Sequence, residues 1–235
     1  GQNMFYWEAF TTDTAPGVTI PAIVDVNGDG YADVTNSSYL SDTNGFTNNG
    51  AFGVFFGGDF TSSVSHQGTV GDDMLGGTEN ADNMVGGAGN DTLCGHGGAD
   101  GINAGAGDDL IVVSDTTFEG IIGGTGFDTL VLGGSGLTLD FDVIRNNAVQ
   151  GIEAVDLVDG GNTLSIDILD VLNMSLNSNE ILVKGGASDT VNLNAEGSSW
   201  AATGSVVTGD DGQLYSEYSL GAATMLIDND IQVVV

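Results

Sequence analysis

Basic residues are almost absent from this chain. Arg145 and Lys184 stand against 33 aspartates and glutamates among 235 residues, which gives a formal net charge of −31. A surface of this sign repels nucleic acid and anionic membranes, so we expect neither as a partner. No apolar run reaches the length of a membrane-spanning helix, so we expect no membrane insertion. The acidic residues also repel one another, and the chain therefore requires counterions, preferably multivalent cations.

Cysteine, proline and histidine are also scarce, with one, two and two copies. A single cysteine excludes an internal disulfide, so another kind of cross-link has to stabilise an extracellular form of the protein. The motifs H-E-x-x-H and G-x-S-x-G do not occur, and the two histidines form no recognisable pair with the cysteine. Adjacent acids such as Asp108 and Asp109 are explained more simply by turns than by a glycosidase site. We therefore predict that the chain is not an enzyme.

Glycine, by contrast, is abundant with 39 copies, and some of these glycines recur with a period of nine residues. Each period carries an aspartate in the sixth place and an apolar residue in the eighth. Five consecutive periods keep this phase, and a sixth follows an interruption of ten residues that contains Phe118 and Glu119. The aspartates are Asp73, Asp82, Asp91, Asp100, Asp109 and Asp128, and the apolar residues are Leu75, Met84, Leu93, Ile102, Ile111 and Leu130. A flexible linker would not keep such a phase.

The first six places of each period favour sharp turns, and the last three allow a very short strand whose apolar residue points inward. The pattern G-G-x-G-x-D-x-U-x resembles the RTX (hemolysin-type) calcium-binding repeats of secreted bacterial proteins. The resemblance implies a parallel β-roll in which two units make one coil. In that arrangement Asp73, Asp91 and Asp109 line one edge of the roll, and Asp82 and Asp100 line the other.

Calcium is the ion that this arrangement favours. Coils about 4.8 Å apart would bring stacked carboxylates close enough to repel by roughly 0.9 kcal/mol per pair, even in a water-like dielectric. Calcium takes about six to eight oxygen ligands and turns this repulsion into attraction, whereas magnesium prefers few protein ligands. We predict several calcium ions, held by the six aspartates and by carbonyl oxygens of the fourth-place glycines, which are Gly71, Gly89, Gly98, Gly107 and Gly126. His96, in a second place, is expected to be exposed.

A second oxygen-rich motif precedes the repeats, at residues 25–33. Acid or amide side chains occupy its places one, three, five and nine, and glycine occupies place six. The flanks at 18–25 and 50–57 are predicted to be strands, and place twelve is Asn36 instead of a glutamate. The motif therefore resembles the FG-GAP (integrin-type) calcium loop more than an EF-hand, although a metal-free hairpin turn is the alternative. The resemblance implies ligation by the side chains of Asp25, Asn27, Asp29 and Asp33 and by the carbonyl oxygen of Tyr31.

From about residue 137 the repeats give way to alternating apolar and polar residues. This pattern predicts short strands, an amphipathic helix over 167–175 and a hairpin whose turn includes Asp211 and Gly212. The segment 185–189 is similar to a repeat, but its aspartate comes one place early, so it is not counted as one. The layout resembles the C-terminal region that caps RTX arrays. That resemblance implies type I secretion guided by the end of the chain, and a plain last strand is the alternative.

The predicted fold class is all-β, with a calcium-stabilised parallel β-roll. We expect an FG-GAP-like β-hairpin or blade-like unit at 1–66, the roll at 67–136 and a β-rich cap at 137–235. The predicted function is an extracellular structural or adhesive module of a secreted surface or filament protein that folds on calcium after export. Its expected partners are calcium, the type I secretion machinery, and neighbouring copies or surface polymers. The alternatives are an accessory RTX module of a larger secreted enzyme, and a calcium-dependent carbohydrate-binding module that would need an exposed aromatic residue such as Trp200.

Overall fold

The computed structural model describes the backbone of residues 22–24, 33–38 and 51–55, and residues 64–145, 147–175, 177–193 and 199–235. The chain divides into two compact units, Gly1–Ser62 and Ser63–Val235. Three antiparallel strands form a sheet in the first unit: β1 (Ala22–Val24), β2 (Asp33–Ser38) and β3 (Ala51–Phe55). Strands β1 and β3 lie within the two segments predicted to be strands, whereas β2 was not predicted.

The nonapeptide repeats form two parallel sheets that share an apolar core. Glycine-rich turns separate strands of two to six residues, so the chain alternates between the sheets. The first sheet has five strands: β4 (His66–Gln67), β6 (Asn83–Ala88), β8 (Gly101–Ala106), β10 (Gly120–Thr125) and β13 (Val149–Gln150). The second sheet begins with β5 (Met74–Gly76), β7 (Thr92–His96), β9 (Leu110–Val113) and β11 (Thr129–Leu132).

The eighth-place residues make the core of the roll, as predicted. Leu93, Ile111 and Leu130 are fully buried, Met84 and Ile102 are at most 2% exposed, and Leu75 in the first coil packs partly buried against them. Register follows the repeat, since Leu93 lies opposite Ile111, and Ile111 opposite Leu130. The eighth-place side chains of successive coils therefore stack directly on one another.

The parallel stack continues beyond the repeats, with longer coils and a third sheet. The second sheet extends through β14 (Ala154–Asp156), β16 (Glu180–Lys184) and β20 (Ala223–Asp228). The third sheet contains β12 (Thr138–Asp140), β15 (Thr163–Ser165), β17 (Thr190–Asn192) and β21 (Gln232–Val234). Hydrogen-bonded positions on neighbouring coils are 18 residues apart in the consecutive repeats, 19 apart between Asp109 and Asp128, and 25 and 27 apart after Asp128.

Two insertions interrupt the longer coils. The helix α1 (Ile168–Met174) begins at a capping box, because the side chains of Asp167 and Asp170 each accept a hydrogen bond from the other's backbone amide, and it buries Val171 and Met174. The hairpin of β18 (Ala201–Thr208) and β19 (Leu214–Leu220) adds two antiparallel strands to β20. The predicted helix and the predicted hairpin are both confirmed.

The all-β class with a parallel β-roll is confirmed. The division into three parts, with boundaries at 66/67 and 136/137, stays a prediction. The second sheet contains strands from both sides of the second boundary, because β11 pairs with β14 and β14 pairs with β16. Near the C-terminus β20 and β21 pair with preceding coils, while the secretion signal there stays a prediction. Across the described residues, the structure contains no helix that is both long and apolar enough to span a membrane.

Candidate metal centre

Turns of the roll bring the repeat aspartates to two edges. The strands β6, β8 and β10 each lead into a turn that ends at Asp91, Asp109 or Asp128, and this row is here called the first edge. The turns after β5 and β7 end at Asp82 and Asp100 on the second edge. These five aspartates are buried, with exposures between 0% and 8%. Carboxyl groups are rarely buried without a partner, so each of their oxygens has to be accounted for.

In four of these aspartates, one carboxylate oxygen joins two neighbouring coils. On the first edge, Oδ1 of Asp91, Asp109 and Asp128 accepts the backbone N–H of the aspartate one coil earlier, with distances of 2.8, 2.7 and 2.9 Å from Asp73, Asp91 and Asp109. On the second edge the backbone N–H of Asp82 donates to Oδ1 of Asp100 at 2.9 Å. The predicted assignment of these residues to two edges is confirmed by these bonds.

The other oxygen is left without a hydrogen-bond partner at three places. Oδ2 of Asp91, Asp109 and Asp128 is buried and unpaired in the protein. A Cβ atom on Gly86 would lie 2.5 Å from Oδ2 of Asp91, and one on Gly123 would lie 2.7 Å from Oδ2 of Asp128. Both atoms would also collide with a carbonyl oxygen of the next coil, of Ala104 and Gly151 respectively. At Asp91 and Asp128 the unpaired carboxylate oxygen therefore lies near a carbonyl oxygen of the next coil at a place where only glycine fits, and oxygen donors of this kind suit calcium; at Asp109 the corresponding first-place residue is Ala104.

The residue in the second place decides whether that oxygen is paired. Thr69 donates its backbone N–H to Oδ2 of Asp73 at 2.6 Å, and Thr78 donates to Oδ2 of Asp82 at 2.7 Å. Each threonine hydroxyl adds a bond of 2.9 Å to the same oxygen. In the coils with an unpaired oxygen the second place is glycine with a φ of about +118°, which threonine rarely adopts: Gly87 at 117°, Gly105 at 118° and Gly124 at 119°. The first two repeats therefore satisfy their aspartates from within the protein.

The second edge has further protein partners. His66 Nε2 lies 3.4 Å from Oδ1 of Asp82. Bonds from the backbone and hydroxyl of Thr78 hold the pKa of Asp82 below its ordinary value. Burial, together with the charges of Asp82 and Asp115, raises the pKa of Asp100. His96 is exposed as expected, and it adopts a positive φ of 66° in the second place of its repeat.

Burial also raises the pKa of two carboxyl groups on the first edge. It is the main cause at Asp109 and Asp128, with neighbouring acids as a further cause, and it raises the pKa of Asp128 to about 6. Glu153, on the coil after Asp128, has a raised pKa for the same main reason. A raised acid pKa means that the folded chain disfavours these negative charges, which a bound cation would neutralise.

The fourth-place glycines of neighbouring coils also stack on one another. Gly89, Gly98, Gly107 and Gly126 have positive φ between 109° and 134°. A Cβ on Gly107 would collide with the carbonyl oxygen of Gly89, and one on Gly126 with that of Gly107, so the fourth-place carbonyls point along the stack. The Cα of Gly71, in the outermost of these turns, faces open space. Ligation by these carbonyls stays a prediction.

A second row of hydrogen bonds between coils, here called a ladder like the row formed by the sixth-place aspartates, runs along the first edge and was not predicted. Oδ1 of the fifth-place residues Asp72, Asn90 and Asp108 accepts the backbone N–H of Asn90, Asp108 and Phe127 in the next coil, at 2.8, 2.9 and 2.8 Å. These bonds run in the opposite sense to those of the sixth-place aspartates. The sequence did contain a signal for this ladder. In the five consecutive repeats, the fifth place is an acid or amide on the first edge and alanine on the second edge.

Two further ladder residues occur in the longer coils, and sequence reasoning missed both. The backbone N–H of Asn162 donates to Oδ1 of Asp189 at 2.8 Å, and Leu137 donates to Oδ1 of Asn162 at 2.7 Å. The fully buried amide Nδ2 of Asn162 donates to the carbonyls of Leu132, Gly134 and Leu157. Because an amide binds these carbonyls, this corner needs no cation. The segment 185–189 was not counted as a repeat because its aspartate comes one place early. Asp189 nevertheless lies in the stack and accepts a hydrogen bond in the ladder.

Residues 76–111 match the family model of the RTX calcium-binding nonapeptide repeat. The match comprises four copies. RTX nonapeptide repeats bind calcium, so the predicted cofactor is confirmed, and a calcium-binding structural module of a secreted protein is what the repeats indicate. No curated protein matches the chain. Among solved structures the chain is similar to the AlgE6R3 subunit from the Azotobacter vinelandii mannuronan C5-epimerase, with 17% identity, a TM-score of 0.25, and coverage of 71% of this chain and 80% of that one.

Several predicted features remain outside this centre. The loop residues Asp25, Asn27, Asp29 and Tyr31 lie outside the described residues, as does the side chain of Asp33, so the FG-GAP-like site stays a prediction. Trp200 is only 5% exposed and packs in the core, so it is not the exposed aromatic that a sugar site would need. Within the described parts of the chain, no three His, Cys, Asp or Glu side chains gather into a ligand set. Ligation by carboxylates from neighbouring coils together with backbone carbonyls stays a prediction.

Proposed function

We propose that this chain is an extracellular, calcium-folded structural or adhesive module of a secreted surface or filament protein. The observation that supports it is the row of unpaired, buried Oδ2 atoms on Asp91, Asp109 and Asp128. An ionised carboxylate oxygen without a partner is costly to bury, so the folded roll is favoured only when a cation pairs with it. The chain has two basic residues and both have protein partners: Arg145 bonds the carbonyl of Glu119, and Lys184 lies 3.6 Å from Asp211.

The two oxygens of a repeat carboxylate would have different roles. Oδ1 of each first-edge aspartate sets the spacing of the coils through the backbone of the preceding coil. Oδ2 and the stacked carbonyls would hold the ion, which supplies the positive charge that the protein lacks. Asp73 and Asp82 accept hydrogen bonds from Thr69 and Thr78 within their own turns, so we assign their carboxylates to stabilising those turns more than to ion binding.

Calcium would act on this chain through mass action. Extracellular modules bind calcium with dissociation constants of roughly 0.1–1 mM, which the cytosol does not supply and the extracellular medium does. An ion that binds only the folded state adds about 2.7 kcal/mol of stability per site at a hundred times its dissociation constant. The repeats would stay unfolded before export and fold outside the cell.

Circular dichroism of the full chain tests this proposal. Excess chelator should remove β signal from the repeat region, calcium should restore it, and magnesium at the same concentration should restore much less. A spectrum that is indifferent to chelator would contradict calcium-coupled folding. Sedimentation velocity with and without calcium, alone and with bacterial surface polysaccharide, tests the adhesive part. Sedimentation that shows no self-association and no polysaccharide binding in calcium would argue against an adhesive role.

A further inference from the structure

The first edge does not end with the last nonapeptide. The backbone N–H of Asp128 donates to Oε2 of Glu153 at 3.0 Å, which repeats the relation between Asp109 and Asp128 at 2.9 Å. Glu153 comes directly before β14, as Asp128 comes before β11. A glutamate 25 residues further along the chain thus takes the next place in the row of carboxylates.

A backbone carbonyl continues the row in the same way. A Cβ on Gly123 would collide with the carbonyl oxygen of Gly151 and would lie 2.7 Å from Oδ2 of Asp128. The corresponding atom on Gly86 would meet the carbonyl oxygen of Ala104 and Oδ2 of Asp91. Gly151 therefore presents its carbonyl to Asp128 as the first place of a repeat does, although Gly151 lies only two residues before its acid instead of five.

Charge is unbalanced at this junction. Asp128 is fully buried, its Oδ2 has no hydrogen-bond partner, and Asp109 and Glu153 lie on either side of it in the ladder. Neither basic side chain is available, because Arg145 bonds the carbonyl of Glu119 and Lys184 pairs with Asp211. The polar atoms around Oδ2 of Asp128 are acceptors of the kind that calcium prefers.

We propose that Asp128, the Gly151 carbonyl and Glu153 form a calcium site at the junction between the repeats and the longer coils. The site rests on the proposed calcium-binding function, but no nonapeptide encodes its second half. The ion would tie β11, the last strand of the repeats, to β14, the first strand of the longer coils in the same sheet. The calcium array would thus extend one coil beyond the repeat sequence.

Calcium counting with Glu153→Gln tests the site. Glutamine keeps an oxygen that can accept the N–H of Asp128, so the ladder is preserved while the negative charge is lost. The matched control is Glu180→Gln, which removes the same charge from an exposed side chain on β16. Equilibrium dialysis of the full chain should show one ion fewer in Glu153→Gln than in the wild type, and an unchanged number in Glu180→Gln.

The outcomes separate this site from the proposed function. Calcium binding by the wild type with equal numbers in both variants would overturn the junction site and leave the function intact. A wild type that binds no calcium would overturn both. A crystal of the calcium-loaded wild type provides a second measurement, independent of how the variant folds. Anomalous density between Asp128 and Glu153 is expected there, and density elsewhere on the first edge without density at this place would overturn the inference.

Discussion

The backbone N–H of Asp91 donates a hydrogen bond of 2.7 Å to Oδ1 of Asp109, one coil further along the roll. The backbone N–H of Asp91 is thus held by the aspartate of the next coil, whose second oxygen, Oδ2, is buried without a hydrogen-bond partner. We therefore predict that one oxygen of this carboxylate sets the coil spacing and the other binds the ion. Substitutions that change only one of these oxygens can separate the two roles.

Asp109→Asn should reduce calcium-dependent stability while preserving coil alignment. Asparagine keeps an Oδ1 acceptor for Asp91 but replaces the unpaired oxygen with an amide. Denaturation at limiting and at saturating calcium should show that the stabilisation by calcium falls by about 2.7 kcal/mol or more, the contribution of one site at a hundred times its dissociation constant. Asp108→Asn is the control, since it loses the same charge at an exposed residue that bonds Phe127. An equal loss in the control would attribute the effect to net charge alone.

Thr78→Val should weaken the second repeat in a calcium-independent manner. The substitution removes the hydroxyl that bonds Asp82 at 2.9 Å and leaves the backbone N–H in place. We expect a loss of about 1 kcal/mol that is the same at limiting and at saturating calcium, and a rise in the pKa of Asp82 in an NMR titration. Thr138→Val, at an exposed strand position in β12, serves as the control. A loss that appears only in calcium would show that Asp82 is an ion ligand.

Asn162→Asp should convert a cation-free corner into one that depends on calcium. The amide of Asn162 donates to three carbonyl oxygens, and a carboxylate there would face them as an unpaired buried charge. Chelator-treated protein should lose about 3–5 kcal/mol of unfolding free energy, and calcium should restore part of it. The control is Asn90→Asp, because Asn90 is exposed and its Oδ1 accepts from Asp108 in either form. Equal losses in the two variants would show that the amide of Asn162 contributes nothing particular.

Asp170→Asn should stabilise the protein at alkaline pH. Burial raises the pKa of Asp170 to about 7, with the charge of Asp167 as a further cause. Because the folded state holds this proton more tightly than the unfolded state, its stability declines as pH rises from about 4 to 7. Asparagine keeps an oxygen for the N–H of Asp167 and removes the buried charge.

Thermal unfolding at fixed calcium measures this pH effect. The melting temperature of Asp170→Asn should exceed that of the wild type at pH 8, and the advantage should shrink as the pH falls towards 4. Asp210→Asn, in the exposed hairpin turn, changes the net charge equally and should show a smaller difference. A constant advantage at every pH would rule out relief of a buried charge.

The nine-residue phase by itself determined the β-roll, the inward-facing residues such as Leu93 and Ile111, and the distribution of aspartates between two edges. These features depend on spacing within one or two coils, so a local pattern is sufficient to specify them. The helix at 168–174 and the hairpin turn at Gly212 were predictable for the same reason, since capping and turn preferences are local.

Only the tertiary structure decided which carboxylate oxygens are paired and where the stack ends. Thr78 satisfies Asp82, whereas Asp128 meets Glu153 and Gly151 from a coil of 25 residues. Asn162 and Asp189 join the stack from coils of 25 and 27 residues. These partners come together because inserted loops and the third sheet set the length of each coil. No fixed period in the sequence records that length, so sequence reasoning could not reach it.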